Sequence, residues 1–309
     1  MNATNRQLLY KRIVRYKIVY LMLLPGFILT GILSYGPMGG LYMAFSNYKI
    51  GRPLFSAEFA GLKYFIQVIN DSTEILYLLR NTVSMNLLSL LTNLVVALMF
   101  AIMLNEVTNS KVKRTIQTVS FMPFFLSWVI VYNILQVFLQ GETGLVNVFL
   151  KDAGIIKEGI GFLSSPKYSW GLVVFANLWK TLGYNTVIFL ASITGIDTEL
   201  YDAAFIDGAD RLQRIQYITL PLLLPTLEIL LILNVGWVFV SNFDQYYLFT
   251  NSMNRPTMEV FDMFIYRFGL KQLNFSYATA VGILKSVAGV IMLVIVNWIS
   301  KKLEGSSIA

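Results

Sequence analysis

Long apolar runs separated by short polar segments dominate the chain from residue 18 onwards. An α-helix that crosses the hydrocarbon of a bilayer needs about 20 predominantly apolar residues. Six runs reach that length, at about residues 18–45, 82–104, 115–138, 169–194, 218–243 and 277–299. The pattern therefore predicts an all-α fold, an integral membrane bundle of six transmembrane helices, with residues 1–309 forming a single domain.

The first run is a membrane span rather than a cleaved signal peptide. It extends from about Ile18 to Phe45, whereas the apolar core of a signal peptide has roughly 7–15 residues. A basic segment precedes it, with Arg6, Lys11, Arg12, Arg15 and Lys17. We therefore expect this span to be retained.

The basic residues predict the orientation of the spans. If the N-terminus is cytoplasmic, the inner segments hold 12 Lys and Arg in 60 residues, and the outer segments hold 10 in 99. Such an excess on the inner side is what the positive-inside rule requires. We expect both termini to be cytoplasmic. The inner segments are about 1–17, 105–114, 195–217 and 300–309; the outer ones are about 46–81, 139–168 and 244–276.

Composition excludes several classes of function. Only 13% of residues are charged and 56% are hydrophobic, whereas soluble domains have about 25% charged residues. The net charge of +7 is spread along the chain, so it indicates basic loops of a membrane protein and not a nucleic-acid partner. Cys and His are absent, which removes disulfides, thiol nucleophiles and imidazole ligands or bases. No catalytic residue and no metal site is predicted.

The segment of about residues 195–217, here called the connector, joins the fourth and fifth runs and has an unusual pattern. Thr198 is a candidate N-cap, and Asp197 and Glu199 suit the positive end of a helix dipole. A short helix would follow, and Asp207-Gly208 would end it, because glycine tolerates a positive φ. A second helix is expected from about Ala209. The first helix would present the small and aromatic residues that a docking surface needs, Leu200, Tyr201, Ala204 and Phe205.

The connector resembles a family motif. Asp202-Ala203-Ala204, then Asp207-Gly208-Ala209, then Leu220-Pro221 is similar to the EAA loop of bacterial ABC-importer permeases. Asp202 replaces the Glu of that motif. The resemblance implies a coupling helix that sits in a groove of an ATP-hydrolysing subunit. The implied coupling residues are Glu199, Tyr201, Asp202, Ala203, Ala204, Phe205, Asp207, Gly208 and Ala209.

The resemblance extends over nearly the whole chain. Gly36-Pro37-Met38 with the stretch 42–48, Asn81-Thr82 and Pro123 resemble the maltose-type group of carbohydrate permeases, ABC importers of type I. Within this group the chain is most similar to the branch that imports oligosaccharides from host glycans or plant polysaccharides. The resemblance implies a sugar-import subunit of the bacterial plasma membrane, multi-pass and without an ATPase site of its own.

The same resemblance implies partners. They are a second permease subunit, an ATPase dimer that uses ATP and Mg, an extracytoplasmic solute-binding protein and a sugar or oligosaccharide substrate. No Gly-rich loop with Lys-Ser/Thr is present in the sequence, so this chain is expected to bind no nucleotide cofactor itself.

Polar residues within spans indicate a substrate path, because buried polar groups usually face a bundle interior or a water-filled cavity. Amide and aromatic side chains suit the hydroxyls and the apolar ring face of a sugar. Hydrogen bonding between helices is the competing explanation for each single residue. The predicted path residues are Asn133, Gln136, Asn177, Lys180, Tyr184, Asn234, Trp237, Asn242, Asp244 and Tyr246.

Other functions remain open at this point. One is an ABC permease for amino acids or peptides. Another is an ion-coupled secondary transporter, for which Lys180, Glu228 and Lys285 are candidate coupling groups. A membrane-embedded enzyme is the third, although no carboxylate cluster occurs inside a span.

Overall fold

The computed structural model describes residues 14–304, with side chains described as far as Trp298. The basic residues Arg6, Lys11 and Arg12 and the C-terminal residues 305–309 lie outside the described part. No β-strand occurs in residues 14–304, where one isolated bridge pairs Ser46 with Phe59. The predicted all-α fold is confirmed.

The α-helices are labelled in chain order. They are α1 (Lys17–Thr30), α2 (Lys63–Asn70), α3 (Ser72–Asn105), α4 (Ser110–Phe121), α5 (Trp128–Leu139), α6 (Leu145–Asp152), α7 (Pro166–Thr194), α8 (Thr198–Ile206), α9 (Arg211–Arg214), α10 (Leu220–Val235), α11 (Phe243–Phe249), α12 (Arg255–Met258), α13 (Phe261–Tyr266) and α14 (Phe275–Glu304). Tighter 3-10 turns occupy Gly36–Phe45, Leu54–Ser56 and Met122–Phe125, and π-helical turns occupy Gly31–Tyr35, Ile215–Thr219 and Arg267–Lys271.

Within the described residues, four helical stretches are long and apolar enough to cross a membrane: Lys17–Phe45, Ser72–Asn105, Arg211–Val235 and Phe275–Trp298. The bent pair α4–α5 makes a fifth if it counts as one broken span. Helix α7 has 29 residues, a length of about 44 Å, but polar side chains interrupt its apolar surface. By length and composition, the described residues therefore contain four or five candidate spans, whereas the sequence predicts six.

The third predicted span, 115–138, is not one straight helix. Its two halves, Ser110–Phe125 and Trp128–Leu139, are bent by 104° at the break of residues 126–127. Pro123 lies in the 3-10 turn Met122–Phe125 that ends the first half. Proline lacks the N–H that a continuing α-helix needs, and its ring clashes with the preceding turn. Ser127 then starts α5, because its Oγ accepts a hydrogen bond from the N–H of Ile130.

The fifth predicted span, 218–243, ends early. Helix α10 stops at Val235, and residues 236–242 form turns before α11 begins. Asn242 caps α11 by accepting a hydrogen bond from the N–H of Gln245. The non-helical residues 236–242 therefore lie between two helices beside the centre of the bundle.

Helices α3 and α7 pack along each other and form the centre of the fold. Apolar side chains from both helices join Leu223 of α10 in one core cluster, which includes Ala97 and Phe189. A second cluster combines Met85 of α3 and Trp128 of α5 with residues of α7, α11 and α12. By contrast, α1 buries none of its residues, so its surface is free for lipid or another subunit.

Candidate functional site

A polar cavity of about 330 Å³ lies halfway along α3 and α7, the two central helices. Helices α3, α7 and α10, the break at 236–242 and α11 all contribute to its wall. None of the lining side chains carries a charge. Its polar and aromatic lining residues are Asn86, Ser89, Asn93, Phe124, Asn177, Thr181, Tyr184, Asn185, Asn234, Trp237, Asn242, Gln245 and Tyr246.

One side of the cavity is a chain of hydrogen bonds between helices. The Asn93 amide donates to Oδ1 of Asn177 at 2.7 Å, and Asn93 Oδ1 accepts from the Thr181 hydroxyl at 2.6 Å. The Asn177 amide donates to Oε1 of Gln245 at 3.4 Å, and Gln245 donates to the carbonyl of Val173 at 2.9 Å. These bonds tie α3, α7 and α11 together.

Asn86 of α3 organises the break in the fifth segment. Its amide donates to the carbonyl of Val238 at 2.7 Å and to the hydroxyl of Ser241 at 3.1 Å. Its Oδ1 accepts from the hydroxyl of Tyr246 at 2.9 Å, and Tyr246 is only 2% exposed. The non-helical backbone thus obtains a partner from α3, as backbone at membrane depth requires.

An ion pair supports the same break from the other side. The N–H of Ser241 donates to Oδ2 of Asp262 at 3.1 Å. Lys285 of α14 forms an ion pair with the other oxygen of Asp262. Lys285, a candidate for ion coupling from sequence, is therefore occupied with this carboxylate.

A second group of lining residues, here called the open edge, consists of Tyr184, Asn185, Asn234 and Trp237. Trp237 is 66% exposed, and neither its indole N–H nor the side-chain amide of Asn185 forms a hydrogen bond with any described residue. Tyr184 stacks on Phe124, with ring centroids 4.4 Å apart and ring planes 7° apart. Asn234 donates to the carbonyl of Leu230 at 2.7 Å, which leaves its Oδ1 available.

The structure brings six of the ten predicted path residues to this cavity: Asn177, Tyr184, Asn234, Trp237, Asn242 and Tyr246. It places the other four outside the lining: Asn133, Gln136, Lys180 and Asp244. Sequence analysis omitted Asn86, Asn93, Thr181, Asn185 and Gln245 from the path. The spacing of Asn86 and Asn93, seven residues apart on one helix face, was the signal that could have found two of them.

Lys180 holds the break in the third segment. Its Nζ donates to the carbonyl oxygens of Phe124 at 2.7 Å and Pro123 at 3.4 Å, and to that of Leu126. These carbonyls lie where the first half of the segment ends, and that of Pro123 also accepts from the N–H of Leu126 at 3.1 Å. The ammonium also lies over the ring of Trp128, 5.7 Å from its centroid. Lys180 is 8% exposed and therefore presents no free cation to the cavity.

The connector forms the two short helices that its sequence predicts, with corrected ends. The N-cap of α8 is Asp197, whose Oδ1 accepts from the N–H of Glu199 at 3.0 Å. The predicted cap Thr198 is wrong, because Asp197 has the extended backbone of a cap while Thr198 is already helical. Gly208 has a φ of 82°, as its turn position predicts. Asp210 and Gln213 then form a capping box that starts α9.

Helix α8 lies on the surface and buries none of its residues. Among the predicted coupling residues, only Tyr201, Ala204 and Ala209 are partly covered. The Tyr201 hydroxyl is 2.9 Å from that of Thr219. The others are exposed: Glu199, Asp202, Ala203, Phe205, Asp207 and Gly208.

Two charged contacts join the connector to itself and to α3. The guanidinium of Arg214 lies over the ring of Phe205, 5.8 Å from its centroid. Arg211 forms an ion pair of 3.3 Å with Glu106, at the end of α3. The connector therefore contacts the C-terminal end of the central helix α3.

Comparison with known proteins gives consistent results. Residues 93–305 match the family model described as binding-protein-dependent transport system inner membrane component. The chain is 38% identical over 298 residues to the polygalacturonan/rhamnogalacturonan transport system permease protein YteP of Bacillus subtilis, covering 96% of this chain and 92% of that protein. It is 30% identical over 267 residues to the lactose transport system permease protein LacF of Rhizobium radiobacter, covering 82% and 87%.

The fold is also that of a solved transporter subunit. A chain in the crystal structure of a bacterial ABC transporter involved in the import of the acidic polysaccharide alginate aligns with a TM-score of 0.86 and 32% identity. The alignment covers 96% of this chain and 99% of that one. The same figures of TM-score and identity hold for a complex of the alginate transporter with alginate pentasaccharide-bound periplasmic protein.

These matches confirm the resemblance noted from the connector and the first span. The chain belongs to the family of binding-protein-dependent transport system inner membrane components, the membrane permeases of ABC importers.

Proposed function

We propose that this chain is one permease subunit of an ATP-driven importer that carries sugars, oligosaccharides in particular, across the bacterial plasma membrane. The observation that carries the proposal is the polar, uncharged cavity halfway along the central helices. Amides and aromatic rings are the groups that bind sugar hydroxyls and ring faces. Relatives whose names state polygalacturonan/rhamnogalacturonan or lactose transport support sugars over amino acids or peptides.

In this proposal the connector couples the cavity to ATP hydrolysis. Residues 199–209 would dock on a separate ATPase dimer that binds ATP and Mg, and this chain would bind neither. The exposed Phe205 and Asp202 support a docking surface, because α8 buries none of its residues against the rest of the chain. ATP-driven closure of the ATPases would then bias the bundle between two states through the Arg211–Glu106 contact.

The proposal includes a full topology and set of partners. Six spans with both termini cytoplasmic would require α7 to cross the membrane as a polar span, and its central position supports this. The residues 1–309 would form one domain. A second permease would complete the cavity, and a solute-binding protein would deliver the sugar outside, as the complex of the similar alginate transporter illustrates.

Reconstitution of the complete importer in proteoliposomes tests the proposal. Uptake of a labelled oligosaccharide should require ATP on the ATPase side and the solute-binding protein on the other. The purified chain alone under a proton or sodium gradient is the control for an ion-coupled transporter. Uptake by the chain alone would contradict the proposal, as would a complete importer that moves amino acids or peptides and no sugar.

A further inference from the structure

The cavity lining indicates a class of sugar, an inference that rests on the proposed function. We propose that the cavity of this chain accepts uncharged sugar units at its open edge, Tyr184, Asn185, Asn234 and Trp237, and selects against sugar acids. The other side of the cavity, built on Asn93 and Asn177, then positions the edge without binding sugar itself.

The lining offers no cation as a partner for a carboxylate. None of its described side chains is Lys or Arg. The nearest lysine in sequence, Lys180, lies between lining residues of α7, but its ammonium is buried on three backbone carbonyls. Asp244, next in sequence to the lining residue Gln245, is exposed and lies outside the lining.

A carboxylate without a cationic partner in this cavity is costly. Moving a carboxylate from water to a site of low dielectric constant is strongly unfavourable unless a cation or several donors compensate it. A hexuronate differs from the matching hexose only at C6, where a carboxylate replaces a hydroxymethyl group. The part of the cavity that this chain lines therefore disfavours the carboxylate, because it supplies no cation there.

The open edge has the free groups that an uncharged sugar needs. Most of the other lining amides are bonded within the protein: Asn86, Asn93 and Asn177 each use both their oxygen and their nitrogen. The side-chain amide of Asn185 and the indole N–H of Trp237 form no hydrogen bond with any described residue. An amide both donates and accepts, as hydroxyls do, and the exposed indole face suits the apolar face of a pyranose.

The inference separates this chain from some of its relatives. The similar alginate transporter imports an acidic polysaccharide, and polygalacturonan is also a polymer of sugar acids. Lactose, in the name of another relative, is uncharged. The lining of this cavity places the chain with the second kind of substrate.

The test uses the complete importer in proteoliposomes and pairs of oligosaccharides that differ only at C6, such as galactotriose and trigalacturonate. Uptake is measured over a panel of such pairs, with solute-binding protein in excess. We expect hexose members to be taken up with a kcat/KM higher by about tenfold or more, which corresponds to 1.4 kcal/mol. Equal uptake, or a preference for the uronates, overturns the inference while the proposed function stands. Uptake of no oligosaccharide of either series refutes the proposed function, and the inference with it.

A charge introduced at the open edge localises the effect. Asn234→Lys should shift the uptake ratio towards the uronate by about tenfold, whereas Asn133→Lys, an exposed asparagine outside the lining, should leave the ratio unchanged. Trp237→Ala provides a second variant that adds no charge, and it should raise the KM for the hexose oligosaccharide severalfold with little change in kcat. An unchanged ratio in Asn234→Lys together with an unchanged KM in Trp237→Ala overturns the assignment of the open edge.

Discussion

The cavity and the connector both consist of polar residues, but they use them in opposite ways. In the cavity, amides such as Asn93 and Asn177 bond to each other across helices and leave one uncharged edge open. In the connector, the polar side chains of Asp197 and Asp210 cap short helices locally, and charged residues stay exposed. A polar wall inside the bundle suits a small ligand, whereas an exposed charged helix suits a protein partner.

The largest effect is expected from a substitution in the connector, at Gly208. Valine there would have to adopt a φ of 82°, which costs about 1–3 kcal/mol for a side chain with a β-branch. No atom lies within 4 Å of the added Cβ, so the effect is on backbone conformation alone. We expect Gly208→Val to abolish uptake and sugar-stimulated ATP hydrolysis while the protein still inserts into the membrane.

Gly154 offers a matched control for this change. It also has a positive φ, of 71°, with no atom within 4 Å of an added Cβ, but it lies in the turn after α6 and far along the chain from the connector. Gly154→Val should retain uptake. Normal uptake by Gly208→Val at normal abundance in the membrane would refute a role for this turn in coupling.

The second prediction concerns the close packing of α7 against α4 beside the cavity. A Cβ on Gly183 of α7 would come within 2.3 Å of the carbonyl oxygen of Ser120 in α4. Gly183→Ala should therefore force the helices apart and destabilise the fold by about 1–3 kcal/mol. On the same helix, Gly171→Ala meets nothing within 4 Å and is the control. Thermal unfolding of the purified protein measures both, and equal melting temperatures would show that the close approach does not matter.

Tyr246 and Trp237 were both predicted to line the path, but their substitution should affect different properties of the protein. Tyr246 is buried and donates to Asn86, so Tyr246→Phe should lower stability by about 1–3 kcal/mol because it leaves Asn86 Oδ1 unpaired. Trp237 is exposed and its indole N–H forms no hydrogen bond with a described residue. Trp237→Ala should therefore change the KM for sugar and leave the melting temperature nearly unchanged. Thermal unfolding and uptake kinetics on the same preparations distinguish the two. Similar losses of stability in both variants would contradict the division of the cavity.

Sequence predicted the location of most helices, and structure changed their continuity. The first predicted span, 18–45, corresponds to Lys17–Phe45, since a long apolar run determines a span by itself. The role of Lys180 was hidden, because it depends on carbonyls beside a bend more than fifty residues earlier in the chain. The partners of Asn93 and Asn177 are equally distant in sequence. Helical spacing gives a face, and only tertiary packing decides what that face meets.

The smallest expected effect concerns the charge of the connector. Asp202 is exposed and forms no ion pair with any described residue, so its carboxylate is free for a partner. Asp202→Asn should weaken co-purification of the ATPase by severalfold, as expected for one partly exposed ion pair, while Asp202→Glu should be tolerated because it keeps the charge. If the Asn and Glu variants behave alike, the charge plays no part in docking.

The most direct test of the contrast uses the absence of cysteine from the sequence, because one introduced thiol is then the only one in this chain. Ala203→Cys places a thiol on the exposed face of α8, and Asn234→Cys places one at the open edge of the cavity. Reaction with a small thiol reagent is followed in the purified complex with and without the ATPase, and with and without sugar. We expect the ATPase to protect Ala203→Cys alone and sugar to protect Asn234→Cys alone. An ATPase that leaves Ala203→Cys reactive, or a transported sugar that fails to slow labelling of Asn234→Cys, would contradict the account.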